Sequence, residues 1–261
     1  MSFVLTELQG EQKNIFIVTL SRPAVRNSFN TEMAEQLLTI FQNIKNDEQI
    51  HVVILASSDS VSFCSGADLK ERKGMSDEEW QNQHRLFESM VYALEDLPQA
   101  TIALVNGFAL AGGFELALNC DLIIASENAK FGLPEVTRGI MPGCGAARIL
   151  PQRVASHIAK EWLFTGKIID AQEANRAGLI NQLVTDKNLQ STGLELASKI
   201  ASNASLGVMG AKQVVNKSTS MHTHEARKFE METYNKVIQS EDRLEGVLAF
   251  NEKRKPIFKG R

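Results

Sequence analysis

Apolar residues in the first part of the chain form short runs that alternate with stretches of helical periodicity. The β-branched and aromatic run at 13–20 ends in a Ser-Arg-Pro turn, which predicts a strand. At 31–46 apolar residues recur every three or four positions, which predicts an amphipathic helix capped by Asn30. The run HVVILA at 51–56 predicts a strand that is covered on both faces. Strand, helix and strand in this order indicate an α/β fold.

The following segment repeats this alternation. Ser76 and Glu79 form a capping-box pattern, which predicts a helix that begins there and ends before Pro98. Beyond it the sequence predicts a strand at 101–106, a glycine-bearing segment at 107–113, a helix at about 114–119 and a strand at 121–125.

From residue 151 onward the pattern predicts one helix after another. Asp170 repeats the capping signal, and Gly178 has the position of a C-terminal glycine cap. We find no internal repeat, low-complexity tract or linker in the sequence. We therefore expect a core domain over 1–200 and a helical region over 201–261.

Composition restricts the class of protein. The 261 residues are 43% hydrophobic and 23% charged, with a formal net charge of −3, which is typical of a soluble globular protein. The mild acidity disfavours a protein that mainly binds nucleic acid. Cys64, Cys120 and Cys144 are an odd number without framework spacing, which favours a reducing compartment. With no readable signal peptide and no membrane-length apolar stretch, we expect a cytoplasmic location.

Two segments that follow predicted strands are rich in small residues, FCSGADLK at 63–70 and NGFALAGGFE at 106–115. Small side chains let a ligand approach backbone N–H groups closely, and glycines at a helix start expose N–H groups where negative charge is favoured. Taken alone, the first segment is also consistent with a plain βα turn without a ligand. The second is also consistent with glycines that only allow a helix to pack closely on a strand. The second lacks the spacing of a dinucleotide-binding loop.

Two carboxylates stand near these loops. Glu115 lies among apolar neighbours, and Glu135 follows the turn FGLP. Burial raises the pKa of a carboxyl group toward the range that is useful for proton transfer. A single Glu at a helix start more often compensates the helix dipole, but two Glu beside two donor loops favour acid–base chemistry.

Other chemistries have weaker support. The five histidines are scattered, and the motifs of α/β-hydrolases, zinc proteases and P-loop proteins are absent from the sequence, so we expect no metal site. The segment 251–261 has five basic residues and one acidic residue, a local net charge of +4. Such an end is either a solvated tail or a contact for ligand phosphates.

Four motifs in this order resemble the crotonase (enoyl-CoA hydratase/isomerase) superfamily over about Asn14 to Arg261. They are SRPAVRNSFN at 21–30, FCSGADLKE at 63–71, NGFALAGGFELALNCDLIIAS at 106–126 and FGLPEVTRGIMPGCGAARILP at 131–151. The resemblance implies an α/β fold, the crotonase (ClpP-like) spiral of ββα units with a helical C-terminal trimerisation region. The segments 63–79 and 241–260 are especially similar to the methylglutaconyl-CoA hydratase branch, whose mammalian member also binds AU-rich RNA.

The resemblance also implies roles for particular residues. The backbone N–H groups of Ala67 and Gly112 would form the oxyanion hole for the thioester carbonyl. Glu135 would exchange a proton with the substrate α-carbon, and Glu115 would hold and polarise the water. The residues expected to contact the substrate or its coenzyme A are Arg26, Ala67, Asp68, Leu69, Lys70 and Gly112, with Phe250 and Lys253 reaching the coenzyme A of a neighbouring subunit.

The implied partners are an acyl-CoA thioester and further copies of the chain, as a homotrimer or homohexamer. No separate cofactor is expected, because coenzyme A is part of the substrate. Since both glutamates are present, a hydratase of 2-enoyl-CoA thioesters is favoured over an isomerase or a catalytically idle relative. The segment 146–148 and Phe114 depart from common hydratase residues, which leaves the acyl group open, including the branched glutaconyl thioester of leucine degradation.

RNA binding, a third kind of function, is disfavoured by charge. The stretch 31–49 carries four acidic residues and one lysine, a net charge of −3, and such a surface repels phosphate. We therefore expect neither nucleic acid nor membrane as a partner.

Overall fold

The computed structural model describes residues 2–261, which form two β-sheets and a set of surrounding helices. The strands, numbered along the chain, are β1 (Val4–Gln9), β2 (Ile15–Leu20), β3 (Val52–Ser57), β4 (Ser62–Cys64), β5 (Ala100–Val105), β6 (Phe108–Leu110), β7 (Leu122–Ser126), β8 (Lys130–Gly132), β9 (Ile168–Asp170) and β10 (Gln182–Val184). The α-helices are α1 (Thr31–Ile44), α2 (Asp77–Glu95), α3 (Gly112–Leu118), α4 (Ala146–Arg153), α5 (Ser156–Thr165), α6 (Ala171–Arg176), α7 (Leu189–Ala201), α8 (Ser205–Ser218), α9 (Thr223–Val237) and α10 (Glu241–Asn251).

From β3 to β8, successive strands of the chain alternate between the two sheets. The larger sheet has the order β1-β2-β3-β5-β7-β10, and the smaller has the order β4-β6-β8-β9. Each pair β3/β4, β5/β6 and β7/β8 therefore places its first strand in the larger sheet and its second in the smaller one. Helix α2 follows β4 and α3 follows β6, which gives repeated ββα units. Apart from the antiparallel pairs β1–β2 and β8–β9, the paired strands are parallel.

The predicted helix starts are confirmed by their caps. The side chain of Asn30 accepts a hydrogen bond from the N–H of Met33 at 3.1 Å, at the start of α1. Ser76 and Glu79 form the reciprocal capping box of α2. Asp170 caps α6, and Gly178 follows that helix with a φ of +84°, as a glycine C-cap requires.

The prediction of consecutive helices from 151 onward is wrong in two places. Strand β9 pairs with β8, and β10 extends the larger sheet beside β7. Each has three residues, which is too short for an alternating pattern to show. Strand β1 was also not predicted, because its apolar and polar residues do not alternate regularly and most of them are exposed.

The continuous apolar run of β3 results from burial on both faces of the larger sheet. Val53 and Leu55 point into the larger core cluster, while Val52 and Ile54 point into a second cluster on the opposite face. The second cluster includes buried residues of α7, which covers that face. The sequence interpretation of this run as a doubly covered strand is therefore confirmed.

Close contact between α3 and β4 requires a glycine at 113. A Cβ atom there would lie 2.0 Å from the carbonyl oxygen of Cys64, a backbone atom that has no freedom to move aside. The segment 107–113 thus holds a glycine that close packing requires.

The substitution Gly113→Ala is expected to lower the free energy of unfolding by about 1–3 kcal/mol or more, because the added methyl group overpacks a backbone contact. The matched control is Gly207→Ala in α8, where a Cβ atom would meet nothing within 4 Å. That change is expected to raise the free energy by up to about 1 kcal/mol. Urea unfolding of both variants checks the pair, and equal effects would contradict the packing assignment.

Candidate active site

One cavity of about 680 Å³ brings together five of the residues singled out in the sequence. It lies between the loops that follow β4 and β6, helix α2, and the segment from Pro134 to Cys144. The five are Ala67, Leu69, Gly112, Glu115 and Glu135. They come from three separate segments of the chain, 67–69, 112–115 and 135, which the repeated ββα units bring together.

Gly66 allows the two small-residue loops to touch. Its φ is +91°, a left-handed conformation that favours glycine. A Cβ atom at this position would lie 2.9 Å from the Cβ of Ala111 and 3.0 Å from the carbonyl oxygen of Leu110. A side chain at 66 would therefore separate the loop of Ala67 from the loop of Gly112.

The N–H group of Ala67 is left free by its pairing. Phe29 donates to the carbonyl of Gly66 and accepts from the N–H of Asp68, each at 2.9 Å, which forms a parallel bridge opposite Ala67. In a parallel bridge the middle residue directs its own N–H away from the partner strand. Within residues 2–261 this N–H has no hydrogen-bond acceptor.

The N–H group of Gly112 is free for a different reason. Gly112 is the first residue of α3, where backbone donors have no partner in the helix. The preceding Ala111 has a φ of +51° and is held there by a 2.8 Å hydrogen bond from its N–H to Gly132. This strained turn lies against the loop of Gly66, so that both residues with a free N–H group, Ala67 and Gly112, line the cavity.

Glu115 is fixed by backbone donors. Its side chain is 3% exposed, and Oε1 accepts hydrogen bonds from the N–H groups of Cys144 at 2.7 Å and Ala146 at 3.1 Å. Burial raises the pKa of this carboxyl group, and the two hydrogen bonds act in the opposite direction. Since the segment 146–148 holds Glu115 through a main-chain N–H, its unusual side chains do not alter that contact.

Glu135 has fewer partners than Glu115. It lies in a short 3₁₀ helix, Pro134–Arg138, is 7% exposed, and its buried Oε2 has no hydrogen-bond partner in residues 2–261. Burial raises its pKa to about 7; its own backbone N–H opposes this, and the nearby charge of Glu115 adds to it. A carboxyl group with a pKa near neutrality is suited to give and take a proton.

Three predicted ligand contacts lie outside this cavity. Asp68 forms an ion pair with Arg22 at 3.3 Å, which anchors the loop that carries Ala67. Arg26 has a φ of +54° and lies over the ring of Phe108 at 5.7 Å, and Lys70 is exposed. None of Asp68, Arg26 and Lys70 lines the cavity, so their contacts with coenzyme A remain predictions.

The C-terminal candidates also lie elsewhere. Phe250, on α10, is 84% exposed, and neither it nor Lys253 lines the cavity. The basic end is tied back to the fold, because the buried carboxylate of Asp242 accepts hydrogen bonds from the N–H groups of Lys259 at 2.6 Å and Gly260 at 2.9 Å. The predicted role of Phe250 and Lys253 toward a neighbour's coenzyme A is not tested by the single chain.

Phe114 does not reshape the cavity as its bulk suggested. Its ring is buried against Phe131, with centroids 5.2 Å apart, and it is absent from the cavity wall. Arg148 likewise points to the surface, where it pairs with Glu95 at 2.6 Å.

Sequence reasoning missed the wall that faces the glutamates. It is formed by Arg72, by Trp80, His84 and Phe87 on one face of α2, and by the segment 140–143. The spacing of the α2 residues, i, i+4 and i+7, places them on one face of the helix, and the sequence analysis predicted the helix without assigning a function to that face. Among residues 2–261 no three His, Cys, Asp or Glu side chains are grouped closely enough to hold a metal ion. No helix in the described part of the chain is long and apolar enough to cross a membrane.

The sequence of the chain is similar to that of a known protein family over nearly its whole length. The sequence model of the family described as "Enoyl-CoA hydratase/isomerase" matches residues 10–261. The chain belongs to the enoyl-CoA hydratase/isomerase family. The predicted crotonase superfamily and its α/β fold are thereby confirmed.

Individual members of the enoyl-CoA hydratase/isomerase family cover nearly the whole chain. It is 39% identical to the "Probable enoyl-CoA hydratase 2, mitochondrial" of Arabidopsis thaliana, over 98% of this chain and 85% of that protein. It is 38% identical to the "Short-chain-enoyl-CoA hydratase" of Clostridium acetobutylicum, over 97% and 95%. The crystal structure of an enoyl-CoA hydratase from Bacillus anthracis has a TM-score of 0.96 at 37% identity, over 99% of this chain and 100% of that chain.

The raised pKa of Glu135 predicts a pH-dependent stability. An acid whose pKa is higher in the folded state than in the unfolded state stabilises the fold at low pH and loses this contribution as pH rises through about 7. The Glu135→Gln variant is therefore expected to be more stable than the wild type by about 1–2 kcal/mol at pH 8, with no gain at pH 4. Urea unfolding at the two pH values measures it, and a gain that is the same at both would contradict the burial argument.

Proposed function

We propose that the chain is an enoyl-CoA hydratase, which adds water across the 2,3-double bond of a 2-enoyl-CoA thioester. The observation that carries the proposal is the meeting of two free backbone N–H groups and two buried glutamates in one cavity. The family model that matches the chain is described as enoyl-CoA hydratase/isomerase, which favours these two reactions. The names of the plant, clostridial and Bacillus relatives support the hydratase.

The free N–H groups suit the charge that develops during hydration. With the thioester oxygen between Ala67 and Gly112, both N–H groups would donate to it as addition at Cβ moves negative charge onto that oxygen. Removing one such donor in other enzymes costs about 2.7–4 kcal/mol of barrier, so two donors supply a large part of the catalysis. Because the donors are main-chain groups, their placement depends on Gly66 and on the turn at Ala111.

The two glutamates suit the two groups that water adds to the double bond, the hydroxyl group and the proton. The hydroxyl group of water forms a bond to Cβ, the carbon–carbon π bond breaks, and a proton is delivered to Cα. Glu135, with a pKa near 7, would hold the proton that reaches Cα. Glu115, fixed by Cys144 and Ala146, would orient the water by accepting a hydrogen bond from it. An isomerase needs only proton transfer between two carbons, so the second fixed acid favours hydration.

The finer assignment, hydration of a branched glutaconyl thioester in leucine degradation, is supported by sequence likeness in 63–79 and 241–260. A general fatty enoyl thioester is the competing substrate.

We also propose that the chain assembles as a homotrimer or homohexamer through its C-terminal region, 201–261. The support is a set of exposed apolar side chains on α10, since contiguous exposed apolar surface commonly marks an interface. They are Leu244, Val247, Leu248 and Phe250.

A cytoplasmic location fits the three cysteines, which are buried and unbridged.

The proposed hydratase predicts a specific loss on substitution of Glu135. Glu135→Gln is expected to lower kcat/KM for crotonyl-CoA by about 100- to 10,000-fold, because it removes the general acid–base group. The assay follows loss of the enoyl-thioester absorbance. The matched control is Glu127→Gln, an exposed carboxylate in the turn after β7, which is expected to leave turnover unchanged. Wild-type protein that isomerises the double bond but forms no 3-hydroxyacyl product would contradict the hydratase.

A further inference from the structure

Arg72 is a cationic side chain in the wall of the cavity that the mechanism does not use. It lies between the loop of Ala67 and the start of α2, and it is partly buried. Its guanidinium carbon lies 4.0 Å from the ring centroid of Trp80 and 5.2 Å from that of Phe87. Cation–π contact with two aromatic rings restrains the position of the guanidinium group.

A buried amide sets the direction of Arg72. Its Nε donates to Oε1 of Gln83 at 2.8 Å, and Gln83 is 5% exposed. The Nε2 of Gln83 in turn donates to Glu71 at 2.7 Å and to Thr31 at 2.9 Å. The side chain that holds Arg72 is thus held by partners of its own.

The remaining donors of Arg72 have no protein partner. Within residues 2–261 its two terminal nitrogens make neither a hydrogen bond nor an ion pair, and they are not sealed from solvent. Glu71, the adjacent carboxylate, is engaged with Thr31 and Gln83 instead. Burial lowers the pKa of Arg72, and the nearby charge of Glu71 offsets only part of that effect. A partly buried guanidinium group with no direct ion pair costs free energy. A planar pair of free N–H donors in a cavity matches the two oxygens of a carboxylate.

Arg72 lines the same cavity as the two glutamates. The α2 side of the wall also carries the apolar rings of Trp80 and Phe87, together with His84. The other arginine of the wall, Arg138, is exposed and is hydrogen-bonded to a carbonyl of its own 3₁₀ helix. A mostly apolar wall with a few fixed polar groups is typical of a pocket that selects a ligand by its polar end.

We infer that Arg72 is a specificity-determining residue, which binds a carboxylate at the far end of the acyl group. The substrate class is then a 2-enoyl-CoA thioester derived from a dicarboxylic acid. This inference rests on the proposed hydratase, since it places the double bond between the glutamates. A 3-methylglutaconyl thioester is one member of the class.

The decisive comparison uses two five-carbon substrates that differ only at the chain end. Glutaconyl-CoA ends in a carboxylate, and 2-pentenoyl-CoA ends in a methyl group. The wild type is expected to have a kcat/KM for glutaconyl-CoA at least about 10-fold higher. Arg72→Met is expected to lower that value by about 10- to 100-fold and to leave 2-pentenoyl-CoA within about threefold, as expected for loss of a charge-assisted hydrogen-bonded pair.

Two further variants control the experiment. Arg85→Met removes an exposed arginine from α2 and is expected to leave kcat/KM unchanged for both substrates. Arg72→Lys keeps the charge without the planar pair of donors and is expected to fall between wild type and Arg72→Met. Turnover of 2-pentenoyl-CoA by Arg72→Met also shows that the variant is folded.

The failure of the inference is distinct from the failure of the proposed function. Equal losses for both substrates in Arg72→Met would overturn the inference and assign Arg72 to the coenzyme A moiety or to the fold. A wild type that prefers 2-pentenoyl-CoA would overturn it even if the variant does not fold. A wild type that hydrates neither of these substrates nor crotonyl-CoA would overturn the proposed hydratase itself.

Discussion

The site depends on one close approach of two backbone segments. Gly66 lies against the turn formed by Leu110 and Ala111, at a distance that leaves no room for a side chain. Gly112 meets a second limit, because a Cβ atom there would lie 2.6 Å from the ring of Phe29. Since Phe29 also pairs with the loop of Ala67, one aromatic residue sets the position of both loops. The two free N–H groups follow from this packing.

The same fold also gives the two glutamates of the site different hydrogen-bonding surroundings. Burial raises the pKa of both Glu115 and Glu135, but Glu115 receives two backbone N–H donors while the Oε2 of Glu135 has none. Two residues of the same type therefore have different surroundings, which suit them to the two proposed roles, one orienting water and one exchanging a proton. The distinction comes from the segment 144–146, whose backbone donates to one carboxylate only.

Much of the site could be predicted from local sequence, because small residues after strands and isolated carboxylates among apolar neighbours are visible in one dimension. Glu115, Glu135 and the two small-residue loops were found this way, and the resemblance supplied Ala67 and Gly112 within those loops. Arg72 and the α2 face were not found, because helical periodicity cannot show whether an apolar face contacts core or cavity. Short strands such as β9 were missed because pairing with a neighbour, and not local pattern, defines them.

The central claim is that two backbone N–H groups polarise a single thioester oxygen. Isotope-edited infrared spectroscopy tests it directly, with an enoyl-CoA carrying ¹³C at the thioester carbonyl bound to the Glu135→Gln variant, which holds the substrate without rapid turnover. Donation from Ala67 and Gly112 predicts a carbonyl stretching frequency below that of the free ligand in water. A bound carbonyl with the frequency of the free ligand, or a higher one, would contradict the account.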